Sequence, residues 1–563
     1  MTTTAQPSPV TSPPGRAARL VDRVVSALLR RPEETGYAVT RGLRVPMRDG
    51  VELIADHYAP TESPGNGTVL VRGPYGRSSF FALLSARMYA LRGYHVLLQS
   101  CRGTFGSGDT FAPMQHEIAD GHDTVGWLRE QPWFDGRLAT LGPSYLGFTQ
   151  WALLMDPPPE LRTAVISMGP HDFHRAVYGA GAFSLADFFR WSEMVAHQED
   201  TGFPAAVVRG VTAGRRLRPA FHDLPLVAAG DALLNGRAPW YREWASRPEA
   251  SDPLWANMRL DAALDRVQVP VLLVGGWQDL FLDQTLDGYE HLHRRGLDVA
   301  LTVGPWTHTD LMGKAGGTIG RETLDWLGEH LAGRPGRRRP APVRIHVGGA
   351  DGGWRGLPEW PPPASEQVLY LQPAGGLGAR EPAPGAAAAT FTYDPGHPTP
   401  ALGGRILTGA NGVQDNRALE ARPDVATFTG PVLETDLEVV GRPVVELAHT
   451  SDNPHADVFV RICDVDAKGR SRNVSDGFVR LGPPDPAEQE PAGQVVRVTL
   501  DAMAHRFAAG HRIRLLVAGG AHPRFARNLG TGEPAESGTA LRPSHRTIGV
   551  DGRSRVVLPV APR

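Results

Sequence analysis

Residues 136–150 read GRLATLGPSYLGFTQ, and the stretch divides at Ser144. Arg137 to Leu141 supply a short strand with Leu138, Ala139 and Leu141 as its apolar surface, and Phe148 to Met155 read as a buried helix. Ser144 falls on the turn between them, within Gly142-Pro143-Ser144-Tyr145-Leu146-Gly147, a G-x-S-x-x-G variant of the nucleophile elbow. Only residues without a Cβ let strand and helix approach at so tight a turn, which accounts for the flanking glycines. Ser144 Oγ is then expected over the carboxyl end of a sheet. The next backbone N–H, that of Tyr145, points at an oxygen bonded to whatever Oγ attacks. A G-x-S pattern alone arises by chance in long chains, so the surrounding elements carry the weight.

Upstream, Val39 to Ala59 read as two strands about the Asp49-Gly50 turn. Gly67–Arg72 is a third strand, followed by a loop that carries Tyr75. Phe80–Arg92 is a helix, Tyr94–Gln99 a buried strand and Asp120–Glu130 a helix. Thr163–Met168 is the strand after the elbow. This rhythm means a parallel, doubly wound α/β sheet over residues 35–171. The glycine cluster 101–108 lacks the lysine of a phosphate loop and is not read as a nucleotide site. Alternation stops near His171, and residues 172–265 carry aromatic, alanine and arginine residues at helical spacing, as expected of an inserted helical cap. The sheet resumes over 266–340 with Val267–Gly275 and Val299–Val303. From 341 to 563, short alternating runs without intervening helices indicate an antiparallel β-sandwich, read as a jelly roll.

A chain of 563 residues implies two to four domains, and 41% hydrophobic with 21% charged residues describes a globular protein. A net charge of −2 with no long basic block leaves nucleic acid and membranes as unexpected partners. Two cysteines, Cys101 and Cys463, fit a reducing, cytoplasmic setting. A homodimer is compatible with the sequence, which shows no mark of oligomeric state. Residues 1–34 begin polar and proline-rich and are expected to be disordered or loosely docked. Within them, Ala17 to Arg31 form an amphipathic helix whose face of Leu20, Val24, Val25 and Leu28 is expected to dock on the protein body.

A serine hydroxyl needs a neighbouring base, itself oriented by a carboxylate. Both should end later strands, in the order Ser, Asp or Glu, His. VLLVGGWQDLF places Asp279 behind one strand and LTVGPWTHTDL places His308 behind the next. Asp283 and Asp310 lie farther from the strand ends and are read as surface groups. Tyr75 stands where the second oxyanion donor is expected, with Tyr145 N–H as the first. No metal and no cofactor is expected, since His122, His171 and His174 lack a matching ligand cluster.

Together GPYGR, SCRGTFGSG, GPSYLGFTQW, GGWQD and GPWTH resemble the cocaine esterase/X-prolyl dipeptidyl aminopeptidase group of serine hydrolases, the CocE/NonD type. YDPGHPTPALGG and HRFAAGHRIRLLVAGGAHPRFARN extend the resemblance through residues 38–560. It implies an α/β-hydrolase body, a helical cap and a C-terminal jelly roll. It also implies a metal-free triad of Ser144, Asp279 and His308, with Tyr75 hydroxyl and Tyr145 N–H as oxyanion donors. Trp191 and Phe281 match positions that line the acyl pocket in cocaine esterase-like members. One departure is Ser100, where the group commonly has Asp two residues before Arg102, which is expected to loosen the hold on Arg102.

The expected function is hydrolysis of a small-molecule ester with a bulky or aromatic acyl group. Members that grip a substrate ammonium carry acids after the triad Asp, where this chain has Leu280-Phe281-Leu282. An X-Pro dipeptidyl-peptidase or amidase is the alternative, with Glu193, Glu199 and Asp200 as its anchor candidates. A non-catalytic carbohydrate-binding protein is the reading from another class.

Overall fold

The computed structural model describes residues 10–62, 65–77, 79–200, 203–335, 339–383, 388–483 and 495–562. Its central sheet contains β1 (Val10–Ser12), β2 (Tyr37–Pro46), β3 (Glu52–Pro60), β4 (Thr68–Gly73), β5 (His95–Ser100) and β6 (Leu138–Pro143). It continues with β7 (Leu161–Ser167), β8 (Val271–Gln278), β9 (Val299–Thr307), β10 (Val343–Gly349) and β11 (Gly353–Leu357). The spatial order is β1-β2-β3-β5-β4-β6-β7-β8-β9-β10-β11, and the run from β5 to β10 is parallel. These parallel strands are apolar runs buried on both faces because helices cover each side. The order reverses about β4, with β5 on one side and β6 on the other, which opens a crevice at the carboxyl ends of β4 and β6. Tyr75 and Ser144 follow those two strands.

Val343–Val347 had the pattern of the first strand of the β-rich half. Instead it pairs in parallel with Leu301–Val303 of β9, and only Gly348 and Gly349 pair with His505 and Arg506. Alternating apolar residues read the same on either sheet, so the pattern could not assign the strand.

Between β7 and β8 the chain is helical: Phe173–Tyr178, Leu185–Ala196, Phe203–Arg216, Arg218–His222, Leu226–Leu234, Pro239–Ser246 and Asp261–Arg266. The second of these buries Phe188, Phe189 and Trp191. The β-rich half braces this cap: Pro523 O accepts from Ala186 N, Phe183 O from Ala526 N, and Arg527 donates to Phe221 O. In that half, Ala456–Val465 pairs with Ser471–Leu481 and Arg512–Ala518. Arg555–Val560 pairs with Ser365–Gln372 and Val444–Ser451. Val458, Val460, Ile462, Leu515 and Val517 share one apolar core with Leu371, Val445, Leu447, Val556 and Leu558.

The N-terminal segment departs from expectation. Residues 1–9 lie outside the described residues. Beyond them, β1 adds to the edge of β2, and a helix, Arg16–Leu29, docks on the body as expected but largely by another face: of the expected residues only Val25 packs against the core. Leu20, Val24 and Leu28 are 65%, 52% and 71% exposed, whereas Asp22, Ser26 and Leu29 are buried. Asp22 pairs with Arg87 at 2.6 Å and accepts from the Tyr37 hydroxyl at 3.1 Å. Arg92 donates to Ser26 Oγ at 3.2 Å, and Leu29 packs so closely on Gly320 that a Cβ there would meet it at 3.0 Å. Burial pushes the Tyr37 hydroxyl up to about 12. The cause is beneath the helix: Arg87 and Arg92 are largely enclosed and require acceptors, and an unpaired buried cation costs more than burying a leucine gains. No described helix is long and apolar enough to cross a membrane.

Candidate active site

β6 ends at Pro143 and the helix Tyr145–Leu153 begins one residue after Ser144, which holds φ 59° and ψ −123°. An L-residue in this region costs about 1–3 kcal/mol and persists only where packing enforces it. Here a Cβ on Gly142 would come within 2.4 Å of Leu146 Cβ, and one on Gly147 within 2.6 Å of Gly169 Cα. Both glycines are thus needed for contact, and Gly169, on the loop after β7, is a third that sequence reading passed over. Ser144 N donates to Ser167 O at 3.0 Å, and every residue of the following helix is buried.

Ser144 Oγ lies 2.9 Å from His308 Nε2, and His308 Nδ1 lies 3.0 Å from Asp279 Oδ1. Asp279 is fully buried and also accepts from Phe281 N at 3.2 Å. A carboxylate only accepts, so Nδ1 carries the proton and Nε2 is left to accept from the serine hydroxyl. Asp310, expected at the surface, caps the turn that carries His308: its carboxylate accepts from Thr307 N and Thr307 Oγ1, each at 2.9 Å. Asp283 is no bystander either. It joins the body to the β-rich half through Arg405 at 2.7 Å and through Arg442.

Tyr75 reaches the serine from the end of β4. Its oxygen accepts from Trp191 Nε1 at 3.0 Å, and its hydroxyl lies on the Ser144 side of the cleft. Burial pushes this phenol up to about 12, so it holds its proton at neutral pH. Tyr145, as the first residue of its helix, has an N–H that the helix leaves without an internal acceptor. Its hydroxyl donates to Glu117 at 2.8 Å and accepts from Met114 N at 2.8 Å, while Glu117 pairs with Arg72 at 3.0 Å. Glu117 lies one turn before the helix expected from sequence and gave no signal there.

Trp191 and Phe281 border opposite partners of Ser144. Trp191 stacks on Tyr145 with centroids 6.2 Å apart and on Trp244 at 5.7 Å, whereas Phe281 meets His308 edge-on at 5.4 Å. Trp191 therefore belongs both to the site and to the cap's aromatic core. Phe111, not foreseen, contacts Tyr145, Trp191 and Trp240. Arg102 is held firmly despite Ser100, by Asp120 at 2.6 Å and Asp49 at 2.8 Å. Those acids lie far from it in sequence, which is why the missing neighbour misled.

The cap acids considered as ammonium anchors are engaged elsewhere. Glu193 pairs with Arg209 at 2.6 Å and Arg216 at 2.8 Å, Asp200 pairs with Arg237, and Glu199 accepts from Phe105 N at 3.0 Å. A different cap acid, Asp187, is buried near His308 and accepts from Leu407 N at 2.7 Å. Burial raises its carboxyl to about 6, and the Leu407 N–H opposes the shift.

Residues 49–310 match the family described as X-Pro dipeptidyl-peptidase (S15 family), and residues 336–557 match its C-terminal non-catalytic domain. The chain is 31% identical to cocaine esterase of Rhodococcus sp. (strain MB1 Bresler), over 94% of this chain and 99% of that protein. Among solved structures, an aminopeptidase from the marine sediment archaeon Thaumarchaeota archaeon superposes with TM-score 0.78 at 23% identity, covering 93% of this chain and 96% of that one. An alpha-amino acid ester hydrolase gives TM-score 0.78 at 22% identity, covering 93% and 97%. At such identities the two structures speak to the fold.

Proposed function

Since this chain belongs to the cocaine esterase/X-Pro dipeptidyl-peptidase family of serine hydrolases, we propose that it hydrolyses carboxylic esters of bulky or aromatic acids through an acyl-enzyme at Ser144. In this reading His308 Nε2 takes the Ser144 proton as Oγ attacks the ester carbonyl, and Asp279 stabilises the imidazolium that forms. The oxyanion is received by the Tyr75 hydroxyl and the Tyr145 N–H. Collapse expels the alcohol, protonated by His308, and a water activated by the same imidazole releases the acid. The observation that carries the reading is the Oγ–Nε2 approach of 2.9 Å beside a protonated, half-buried Tyr75.

An ester is favoured over an X-Pro amide because Glu193, Glu199 and Asp200 are occupied, and the rings of Phe111, Tyr145 and Trp191 cluster beside Ser144. Trp191 and Phe281 are proposed to contact the acyl group, which an aromatic ring would engage by about 0.5–1.5 kcal/mol beyond its buried area. The test compares p-nitrophenyl benzoate, p-nitrophenyl acetate and glycyl-prolyl p-nitroanilide, with fluorophosphonate labelling of the wild type. The benzoate should give the highest kcat/KM, and Ser144→Ala should abolish labelling and lower kcat by several orders of magnitude. Preference for the anilide would transfer the assignment to a dipeptidyl-peptidase, and undiminished turnover in Ser144→Ala would remove the nucleophile.

A further inference from the structure

The helix Arg16–Leu29 carries its apolar stripe outward, so something other than the protein body must account for that stripe. Leu20, Val21, Val24 and Leu28 are the large residues on it, between 43% and 71% exposed, and Ala17 and Ala27 fill the gaps. At 1.5 Å per residue the stripe is about 20 Å long. Arg16, Arg19, Arg23 and Arg30 are exposed and follow one border of it at helical spacing. Residues 16–31 hold five arginines and one acid, and that acid, Asp22, is turned inward onto Arg87. The chain's net charge of −2 averages this local excess away.

Charge selects the occupant. A second copy set symmetrically on the stripe would bring one arginine border against the other, with no exposed carboxylate on either helix to relieve it. Residues 1–9, MTTTAQPSP, offer Met1 as their only large apolar side chain. An anionic bilayer supplies hydrocarbon for the leucines and valines and headgroup phosphates for the arginines. It also needs no shaped groove, which a lone convex helix does not provide.

We propose that this chain docks peripherally on anionic lipid membranes through the outward face of Arg16–Leu29, lying in the interface without crossing it. The full-length protein is sedimented with vesicles of phosphatidylcholine alone and with vesicles containing roughly a third phosphatidylglycerol. Binding should require the anionic lipid and weaken as salt rises and the Debye length shrinks from about 10 Å toward 3 Å. Leu20→Glu/Val24→Glu/Leu28→Glu should reduce binding to background. Arg16→Gln/Arg19→Gln/Arg23→Gln, which keeps the stripe, should weaken it roughly a hundredfold. Turnover of a soluble ester, unchanged in both variants, shows that each is folded.

Equal vesicle binding by wild type and both variants, or binding indifferent to phosphatidylglycerol, overturns the proposal. A dimer that the glutamate variant converts to monomer, with no vesicle binding in either form, assigns the stripe to a second copy instead. Binding that appears only after deletion of residues 1–9 assigns it to that segment. Retention by an acidic protein partner but not by vesicles likewise overturns the lipid assignment.

Discussion

The helix Tyr145–Leu153 and the helix Arg16–Leu29 each rest on a buried arginine–carboxylate pair, yet the first is enclosed on every side and the second turns most of its apolar face outward. Under the first, Arg72 and Glu117 meet at 3.0 Å, and Glu117 accepts from the hydroxyl of Tyr145. Every side chain of that helix is buried and the run is apolar, so hydrophobicity and burial agree. Under the second, Arg87 and Asp22 meet at 2.6 Å, and the helix sacrifices four large apolar residues to keep them together. Hydrophobic patterning predicts which face is buried only when the surface beneath is apolar. Where it presents enclosed cations, the acceptor-bearing face is recruited.

Breaking either pair tests this most severely. Asp22→Ala and Glu117→Ala should each cost about 3–5 kcal/mol of stability, the scale for leaving one buried charge unpaired. The two should part in activity. Glu117→Ala should lower kcat by up to about a hundredfold, because Tyr145 loses its anchor and its N–H shifts, while Asp22→Ala in folded protein should not. Denaturant melts and kcat measured on the same preparations separate the two, and equal kcat losses would end the contrast.

Next in size is Tyr75→Phe, which removes the proposed second oxyanion donor and leaves Trp191 Nε1 without its acceptor. It should lower kcat by about 10²–10³ with KM little changed. Steady-state kinetics on an acetyl ester isolate this from acyl-pocket effects, and a loss confined to KM would make Tyr75 a packing residue.

Asp187 sharpens the comparison from the other side, as a buried carboxylate with a backbone donor and no ion pair among the described residues. Its folded pKa of about 6 exceeds the ordinary 3.8, so the folded state holds the proton more tightly than the unfolded chain. Stability should therefore fall as pH rises from about 4 through 6, by an amount on the order of 3 kcal/mol. Asp187→Asn, which keeps the acceptor for Leu407 N, should flatten that slope in urea melts across the range. A slope unchanged by the substitution would place the titration elsewhere.

The smallest effect is the most pointed. Leu28→Ser and Leu20→Ser, core changes by the sequence pattern, should alter stability by no more than about 0.5 kcal/mol. A loss of several kcal/mol in either would mean that the stripe is covered within the chain.

What was legible in the sequence follows the range over which each feature is determined. Ser144, Asp279 and His308 each sit just beyond a strand, and a few neighbouring residues suffice to mark such a position. The doubly wound order was legible for the same reason. The orientation of Arg16–Leu29 depends on Arg87 and Arg92, some 60 residues away. The hold on Arg102 depends on Asp49 and Asp120. The role of Asp187 depends on Leu407, from the β-rich half. Such partners are chosen by the fold, and no local pattern announces them.

The strand Val343–Gly349 belongs to two sheets at once, hydrogen-bonded to β9 along one stretch and to Met503–Phe507 at its last two residues. This makes the chain poorly modular. A protein cut at residue 341 would leave Leu301 to Val303 of β9, the strand that ends beside His308, as a bare edge. Its unpaired peptide groups would be open to pairing with another copy, so a cut at the change of composition severs the α/β body's own sheet.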